Sequence, residues 1–303
     1  MRIGIMIGSD RKPYTIEQIV EFVTAAEQAD LDSAWMANIF GFDAIMTMTL
    51  AARATQKIKV GTAVTPTYPR HPAAIAQQAL TAAAATNNRF VLGIGLSHQR
   101  VVEGVYGLSY ARPAKHMREY LDILMPLVHH HSVNVEGEQY TTRGVKIEAP
   151  GAESVPVVIA ALGPVMLRLA GSIADGTNTW MVGPRTMETH IAKTINEAAS
   201  EAGKPTPMIV GNFPVVVTDN ADKVREELIE PLTIYGELPS YRAMLDKEGY
   251  SSPVDAALIG DEKTLRSRID EIESSGVTDF GAAIYDAEPG AFERTLAFLN
   301  SLK

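Results

Sequence analysis

Eight short apolar segments, each rich in β-forming residues, recur along the chain with helical patterns between them. The segments are Arg2–Ile7, Ser33–Ala37, Ile58–Val64, Phe90–Gly95, Pro156–Ala160, Gly176–Val182, Met208–Val217 and Asp279–Ile284. Strands separated by helices form right-handed βαβ units, and such units build parallel sheets. The stretches IGIMIG and VPVVIA are apolar on both faces, as strands covered on both sides must be. Eight units in 303 residues predict a (β/α)8 TIM barrel, which typically takes ~250 residues.

The segments between the strands carry the periodicity and start signals of helices. We predict helices over Ile16–Ala29, Ala44–Ala54, Pro72–Ala85, Lys115–His129, Val165–Ala174, Arg185–Ala202 and Glu262–Ser274. Thr15 stands before the first helix with Gln18 three residues later, which is the spacing of a capping box. Asp261 precedes the last helix as an N-cap residue.

Three segments exceed a minimal barrel. Ser97–Pro113 follows the fourth strand, and Asp219–Gly260, which we expect to be mostly helical, follows the seventh. Loops at the carboxyl ends of barrel strands build active sites, so these two insertions are predicted cofactor and substrate walls, or a lid. Insertions without a role and dimer contacts are the alternatives. Ser132–Gly151 has the pattern of a hairpin and should lie on the opposite face with a structural role. We find no linker, and predict a single domain over residues 1–303.

Composition excludes several classes of protein. There are 27 basic and 36 acidic residues, a net charge of −9, so neither nucleic acid nor an anionic membrane surface is an expected partner. The chain has no cysteine, which excludes disulfides, thiolate metal sites and cysteine nucleophiles. No stretch approaches the ~20 apolar residues of a membrane span, and the N-terminus lacks the basic flank of a signal peptide. We therefore expect a cytoplasmic protein.

Two turns between a strand and a helix could bind an anion. Ala161, Leu162 and Gly163 precede Pro164, which suits the first position of a helix whose free N–H groups would face a phosphate. Gly183 precedes a second proline in the same way one unit later. Ordinary connecting turns remain the alternative at both places. Ser97 lies just beyond the fourth strand and is a candidate polar contact to a cofactor.

The consecutive histidines 129–131 do not predict a metal site. Neighbouring residues on a helix point about 100° apart, so three in a row cannot converge on one ion. Their position at a helix end instead favours an interaction with the helix dipole. We predict no metal.

Three stretches resemble the luciferase-like monooxygenase superfamily, in particular its branch that uses the deazaflavin coenzyme F420. They are LDSAWMANIFGFDAIMTMTLAARAT, IKVGTAVTPTYPRHPAAIAQQALTAAAATNNRFVLGIGLSHQ and VPVVIAALGPVMLRLAGSIADGTNTWMVGP. Order and spacing match over roughly residues 1–185. The resemblance implies a TIM barrel, hydride chemistry at a tricyclic ring, a small-molecule substrate and a homodimer. Methylenetetrahydromethanopterin reductase-like members are the nearest comparison.

The resemblance also implies roles for individual residues. It places a non-prolyl cis peptide between Ala63 and Val64, at a bulge that backs the cofactor ring. It implies that Asn38 hydrogen-bonds the ring and that Thr65 contacts it. Arg70 and His71, in a basic turn, would meet an acidic cofactor tail, although His71 could instead shape the start of the next helix.

The chain departs from the sugar-phosphate dehydrogenases of this branch. Those enzymes place an Asp-His pair after the second strand and a glutamate after the fourth, where this chain has Asn38, Ile39 and His98. We therefore exclude glucose-6-phosphate oxidation and expect a reductase that transfers hydride from F420 to an activated double bond, imine or similar acceptor. His98 is the candidate catalytic residue; a cofactor contact or a role in holding its loop are the alternatives. An FMN-dependent monooxygenase and a non-catalytic cofactor-binding barrel are the alternative functions.

Overall fold

A closed barrel of eight parallel strands forms the centre of the computed structural model, which describes residues 1–10 and 12–303. The barrel strands are Arg2–Ile7, Ser33–Met36, Lys59–Thr62, Phe90–Gly95, Val157–Ala160, Gly176–Trp180, Met208–Val217 and Asp279–Ile284. Each strand pairs with the next along the chain, and the eighth pairs with the first, with Arg2 opposite Asp279. The predicted (β/α)8 fold is confirmed.

The third predicted strand is interrupted where the resemblance placed a bulge. Regular pairing with the second strand ends at Thr62, and Thr65–Pro66 pairs with the fourth strand instead. The peptide bond between Ala63 and Val64, which joins the two pieces, is cis, as predicted.

Helices cover the outside of the barrel. They span Ile16–Gln28, Ala44–Arg53, Pro72–Ala85, Pro113–His130, Pro164–Ser172, Pro184–Thr186, Lys193–Glu201, Glu262–Ser274 and Ala291–Asn300, with a π-helical segment at Met187–Ala192. The first helix begins with the predicted capping box: Thr15 Oγ1 accepts from the Gln18 amide, and Gln18 Oε1 accepts from the Thr15 amide at 2.9 Å. Asp261 caps the helix that follows it by accepting from the Thr264 amide at 2.8 Å.

Trp35 fills the middle of the barrel. Its side chain is buried, and its Nε1 donates to Ser33 Oγ at 3.0 Å. Gly61 makes room for it, because a Cβ there would stand 2.5 Å from the indole ring. The structure therefore shows Trp35 as a packing residue inside the barrel.

The insertions after the fourth and seventh strands both contain helices. The first contains the short helix Gln99–Gly104, and the second contains Ala221–Glu237 and Pro239–Glu248. A further strand, Leu258–Gly260, pairs with the end of the seventh barrel strand. The predicted hairpin is formed by Ser132–Glu136 and Thr141–Lys146. Within residues 1–10 and 12–303, no helix combines the length and hydropathy needed to cross a membrane.

Candidate active site

Two joined cavities open at the carboxyl ends of the barrel strands. The first, the aromatic cavity, has a volume of about 460 Å³, and the second, the Gly163 cavity, of about 360 Å³. Their shared lining is Ala63, Val64, Gly95, Ser97, His98, Trp180 and Tyr241. Since they meet along this common wall, we treat them as one cleft. It lies at the end of the barrel where such folds carry their active sites.

Aromatic rings from four parts of the chain form the wall of the aromatic cavity. Trp180, at the end of the sixth strand, packs against Tyr235 with ring centres 6.1 Å apart, and Tyr235 packs against Tyr241 at 5.1 Å. Phe40 and Tyr106 meet at 6.1 Å on another part of the lining. Both long insertions thus contribute to the cleft, as the sequence predicted.

The Gly163 cavity opens on the N-terminus of the helix Pro164–Ser172. Ala161, Leu162 and Gly163 line this cavity. Gly163 is the N-cap residue, and no side chain of the described residues caps it. A Cβ built on Gly163 would have no described atom within 4 Å, so the space beside this backbone is open. Exposed N–H groups at a helix N-terminus favour an anion, and a phosphate fits this position.

Ser97 and His98 lie where the two cavities meet. Ser97 has a left-handed backbone with φ of 60°, an uncommon conformation for a residue with a Cβ. Burial lowers the pKa of His98 below its ordinary value of 6.5, and the nearby positive charge of Arg100 lowers it further. The imidazole is therefore mainly neutral at pH 7, when one nitrogen can accept and the other can donate.

Two buried donors in the cleft lack partners. Trp180 Nε1 and Asn178 Nδ2 are buried and make no hydrogen bond within the described part of the chain. Asn178 belongs to the lining of the Gly163 cavity, and Trp180 to both cavities. Buried polar groups nearly always have a partner, so these two donors indicate a ligand or bound water. Sequence reasoning missed both, because alternation along a strand does not show which neighbours stay unpaired.

The family model for luciferase-like monooxygenases matches residues 1–279. The chain belongs to the luciferase-like monooxygenase family. This result confirms the resemblance recognised in the sequence.

Relatives of this luciferase-like chain include oxidoreductases named for F420. The 5,10-methylenetetrahydromethanopterin reductase of Archaeoglobus fulgidus is 30% identical over 258 residues, or 83% of this chain and 74% of that enzyme. An F420-dependent glucose-6-phosphate dehydrogenase of Amycolatopsis mediterranei is 32% identical over 189 residues, but the match spans only 58% of this chain and 56% of the dehydrogenase. The F420-dependent tetrahydromethanopterin reductase of Methanopyrus kandleri superposes with a TM-score of 0.81 at 21% identity, covering 99% and 97% of the two chains.

Asn38 lines the aromatic cavity of the luciferase-like barrel but is already engaged with its own loop. Its Oδ1 accepts from the Ala44 amide at 3.0 Å, at the start of the second helix. Its Nδ2 approaches the Ile39 carbonyl only at 3.5 Å. A ligand in the aromatic cavity could therefore bind Nδ2 at little cost, and the predicted contact from Asn38 to a ring stays a prediction.

Two predicted cofactor contacts are not brought to the cleft. Thr65 is fully buried and absent from the lining of both cavities. The predicted anion site at Gly183 is wrong for a different reason. The Glu248 carboxylate accepts from the amides of Arg185 at 3.1 Å and Thr186 at 2.6 Å, so the chain's own side chain fills that helix terminus.

Arg70 and His71 also lie outside the lining of the cleft. Arg70 forms an ion pair with Asp43 at 2.9 Å. The His71 Nδ1 accepts from the Ala73 amide at 3.2 Å and caps the third helix. The structure therefore supports the structural alternative for His71.

A third cavity, of about 380 Å³, lies between the first and last helices. Its charged lining residues are Asp10, Lys12, Asp286 and Glu293, and none of the predicted site residues belongs to it. Among the described residues, no three histidine, aspartate or glutamate side chains gather as metal ligands.

Proposed function

We propose that this luciferase-like barrel binds coenzyme F420 in the cleft and reduces a small organic acceptor. The observation that carries the proposal is the helix N-terminus at Gly163, which opens on the same cleft as Ala63 and Val64. This arrangement fits a cofactor with a flat ring and a phosphate-bearing tail. The ring would lie against Ala63 and Val64, and the tail would run between Ser97 and Leu162–Gly163. When bound, the cofactor supplies the hydride; the protein positions it and excludes water.

Three observations favour reduction as the direction. The relatives include reductases that act with F420. Among the described residues, no aspartate or glutamate lines either cavity of the cleft, so there is no carboxylate base to take a proton from an alcohol. Ile39 stands beside Asn38, where the sugar-phosphate dehydrogenases have a histidine. Proton delivery to a reduced acceptor needs only one weak acid, for which His98 is the candidate.

Calorimetric titration of the purified protein with F420 and with FMN tests the proposal. We expect F420 to bind and FMN to bind much more weakly. Gly163→Leu should weaken F420 binding at least tenfold, because the leucine side chain would occupy the space in which the phosphate approaches the backbone. Gly104→Leu is the matched control: Gly104 also has open space at its Cβ position but lies outside the lining of both cavities.

The outcomes separate the alternatives. Tight binding of FMN alone would favour the FMN-dependent monooxygenase, which is the activity that names the family. Unchanged F420 affinity in Gly163→Leu would place the cofactor tail elsewhere. Tight binding of F420 without reduction of any acceptor would favour the non-catalytic barrel.

We further propose that the chain forms a homodimer in the cytoplasm. Met46 and Leu50 are exposed one turn apart on the second helix, and the exposed Phe42 lies just before the helix begins. We call these three apolar side chains the stripe of the second helix. Exposed apolar patches of this kind mark interaction surfaces. The stripe borders the cleft through Ile39 and Phe40, so a second copy seated there would also cover one edge of the aromatic cavity.

A further inference from the structure

We propose that the cleft takes an uncharged, planar α,β-unsaturated ketone or aldehyde, whose body lies in the aromatic cavity. Its carbonyl oxygen would reach the wall shared with the Gly163 cavity and accept hydrogen bonds there from Trp180 Nε1 and Asn178 Nδ2. The inference rests on the proposed F420-dependent reduction and specifies its substrate class. The cofactor contacts proposed above, at Ser97, Leu162 and Gly163, include neither donor.

The first step concerns the position of the two donors. Trp180 is 7% exposed and Asn178 is 6% exposed, yet neither Trp180 Nε1 nor Asn178 Nδ2 has a partner among the described residues. The two residues stand two apart on the sixth strand, so their side chains leave the same face of that strand. That face is turned to the cleft, because both residues belong to its lining. Both residues therefore border the Gly163 cavity from the same strand.

The orientation of the Asn178 amide follows from its neighbour on the seventh strand. Asn212 Nδ2 donates to Asn178 Oδ1 at 3.0 Å and to the Thr179 carbonyl at 3.0 Å. Two acceptors fix the amide of Asn212, and this arrangement requires Asn178 to present its oxygen to Asn212. The atom of Asn178 without a partner is then its amide nitrogen, Nδ2. Because this nitrogen is a hydrogen-bond donor, the group that binds it must be an acceptor.

Trp35 provides the internal comparison. The chain has two tryptophans, and the other one, Trp35, is also buried, at 2% exposure. Its Nε1 donates to Ser33 Oγ at 3.0 Å, so the barrel supplies a partner where no ligand can reach. The indole that faces the cleft is the one without a partner. This contrast points to an acceptor that arrives with the ligand.

The rest of the lining defines the body of the substrate. Phe40, Tyr106, Tyr235 and Tyr241 surround the cavity with flat apolar surface, which suits a planar molecule. His98 and the exposed Arg100 at the rim are the basic side chains of the described lining, and it contains no acidic one. Two neutral N–H donors in such a site match a neutral carbonyl oxygen better than a charged group, whose desolvation they could not offset.

The chemistry balances with the reduced deazaflavin as hydride donor. Hydride forms a new C–H bond at the β-carbon, the C=C π bond breaks, and its electron pair shifts through the α-carbon to the carbonyl oxygen. The negative charge that develops on this oxygen is stabilised by the donors on Trp180 and Asn178. A proton from His98 or from water then adds at the α-carbon and restores the carbonyl group. The product is the saturated ketone or aldehyde, and the cofactor leaves oxidised.

Ligand binding to the protein saturated with oxidised F420 tests the inference without turnover. The probe is benzalacetone, an aryl enone; β-methylstyrene lacks its carbonyl group, and cinnamate carries a negative charge. By calorimetry, we expect benzalacetone to bind at least tenfold more tightly than either comparator. Trp180→Phe keeps an aromatic ring but removes the N–H, and should weaken benzalacetone binding about five- to tenfold while leaving β-methylstyrene unchanged. Trp35→Phe, the matched control, should leave both unchanged.

Each other outcome has a definite meaning. The inference is overturned if benzalacetone does not bind, if cinnamate binds as tightly, or if Trp180→Phe and Trp35→Phe behave alike. An equal loss of F420 affinity in Trp180→Phe also overturns it, because the donor would then serve the cofactor. If the wild-type protein does not bind F420, the proposed function fails, and the same titrations without F420 still decide whether the donor on Trp180 selects a carbonyl compound.

Discussion

His98 lies at the junction of the two cavities, close to where hydride and proton would reach the substrate. Its ring makes no hydrogen bond within the described part of the chain, and its nearest aromatic neighbour is Tyr241, with ring centres 6.4 Å apart. The side chain is therefore free to contact a ligand. The pKa of His98 is lowered by burial and by the charge of Arg100.

We expect His98→Gln to bind F420 normally and to lose about 10²-fold in kcat, because glutamine keeps a hydrogen-bonding group but cannot shuttle a proton. As the proton donor, His98 must be protonated. The kcat of the wild type should then rise as the pH falls through its pKa, below the ordinary value of 6.5. The variant should lack this rise. Normal turnover in His98→Gln would remove the catalytic role, and a collapse of F420 binding would assign His98 to ligand contact or to the loop.

At single positions, the sequence predicted the location of a residue correctly where the end of a strand or a family motif determines the backbone. It placed Ser97 and Gly163 on one cavity and the cis peptide at Ala63. The predicted contacts failed where the packing of a side chain, or a partner distant in the sequence, determines whether a residue lines the cleft. Thr65 is buried outside the lining of the cleft. Gly183 is covered by Glu248, which lies 65 positions further along the chain and whose approach no local pattern reveals.

At the scale of elements, the strands and helices were predicted within one or two residues wherever hydrophobic periodicity was regular. Phe90–Gly95 and Glu262–Ser274 have the predicted bounds. The third strand was predicted too long, because the interruption after Thr62 is made by backbone geometry and leaves the apolar pattern intact. The helix Ala291–Asn300 was missed, although six of its ten residues are apolar.

The end of the helix Pro113–His130 is held by a charge cluster that the sequence suggested only in general terms. His129 Nε2 lies 3.3 Å from Asp175 Oδ2, which also accepts from the Val157 amide at 2.9 Å, and Lys204 approaches the same carboxylate at 3.6 Å. The hydrogen bond to Asp175 raises the pKa of His129, although burial opposes the shift. An ion pair thus joins this helix to the loop before the sixth strand.

This contact should make stability depend on pH. A histidine whose pKa is raised by folding stabilises fully below its unfolded pKa, ~6.5, and the contribution is lost as the pH rises through the folded pKa. We expect His129→Gln to lower the free energy of unfolding by about 1 kcal/mol at pH 6 and by clearly less at pH 8.5. Urea denaturation at both pH values measures this difference. The exposed neighbour provides the control, His130→Gln, and an equal loss at both pH values would contradict the assignment.

For the whole molecule, the sequence predicted closure of the barrel because eight strand and helix units leave no edge strand uncovered. Arg2 and Asp279 complete the ring, with a hydrogen bond of 2.6 Å between the first and eighth strands. The single domain that the sequence predicts over residues 1–303 stays a prediction. The proposed homodimer rests on the apolar side chains that this single chain leaves exposed.

The exposed stripe on the second helix carries the prediction about assembly. Met46 is 68% exposed at its centre, and we expect Met46→Glu to abolish a dimer by placing a charge among apolar side chains. Sedimentation velocity at micromolar concentration should show a dimeric wild type and a monomeric variant. Ile229→Glu is the matched control, since Ile229 is 48% exposed on a helix outside the stripe and should stay dimeric when replaced. A monomeric wild type, or a dimer that survives Met46→Glu, would show that the second helix faces solvent and that its apolar stripe has another use.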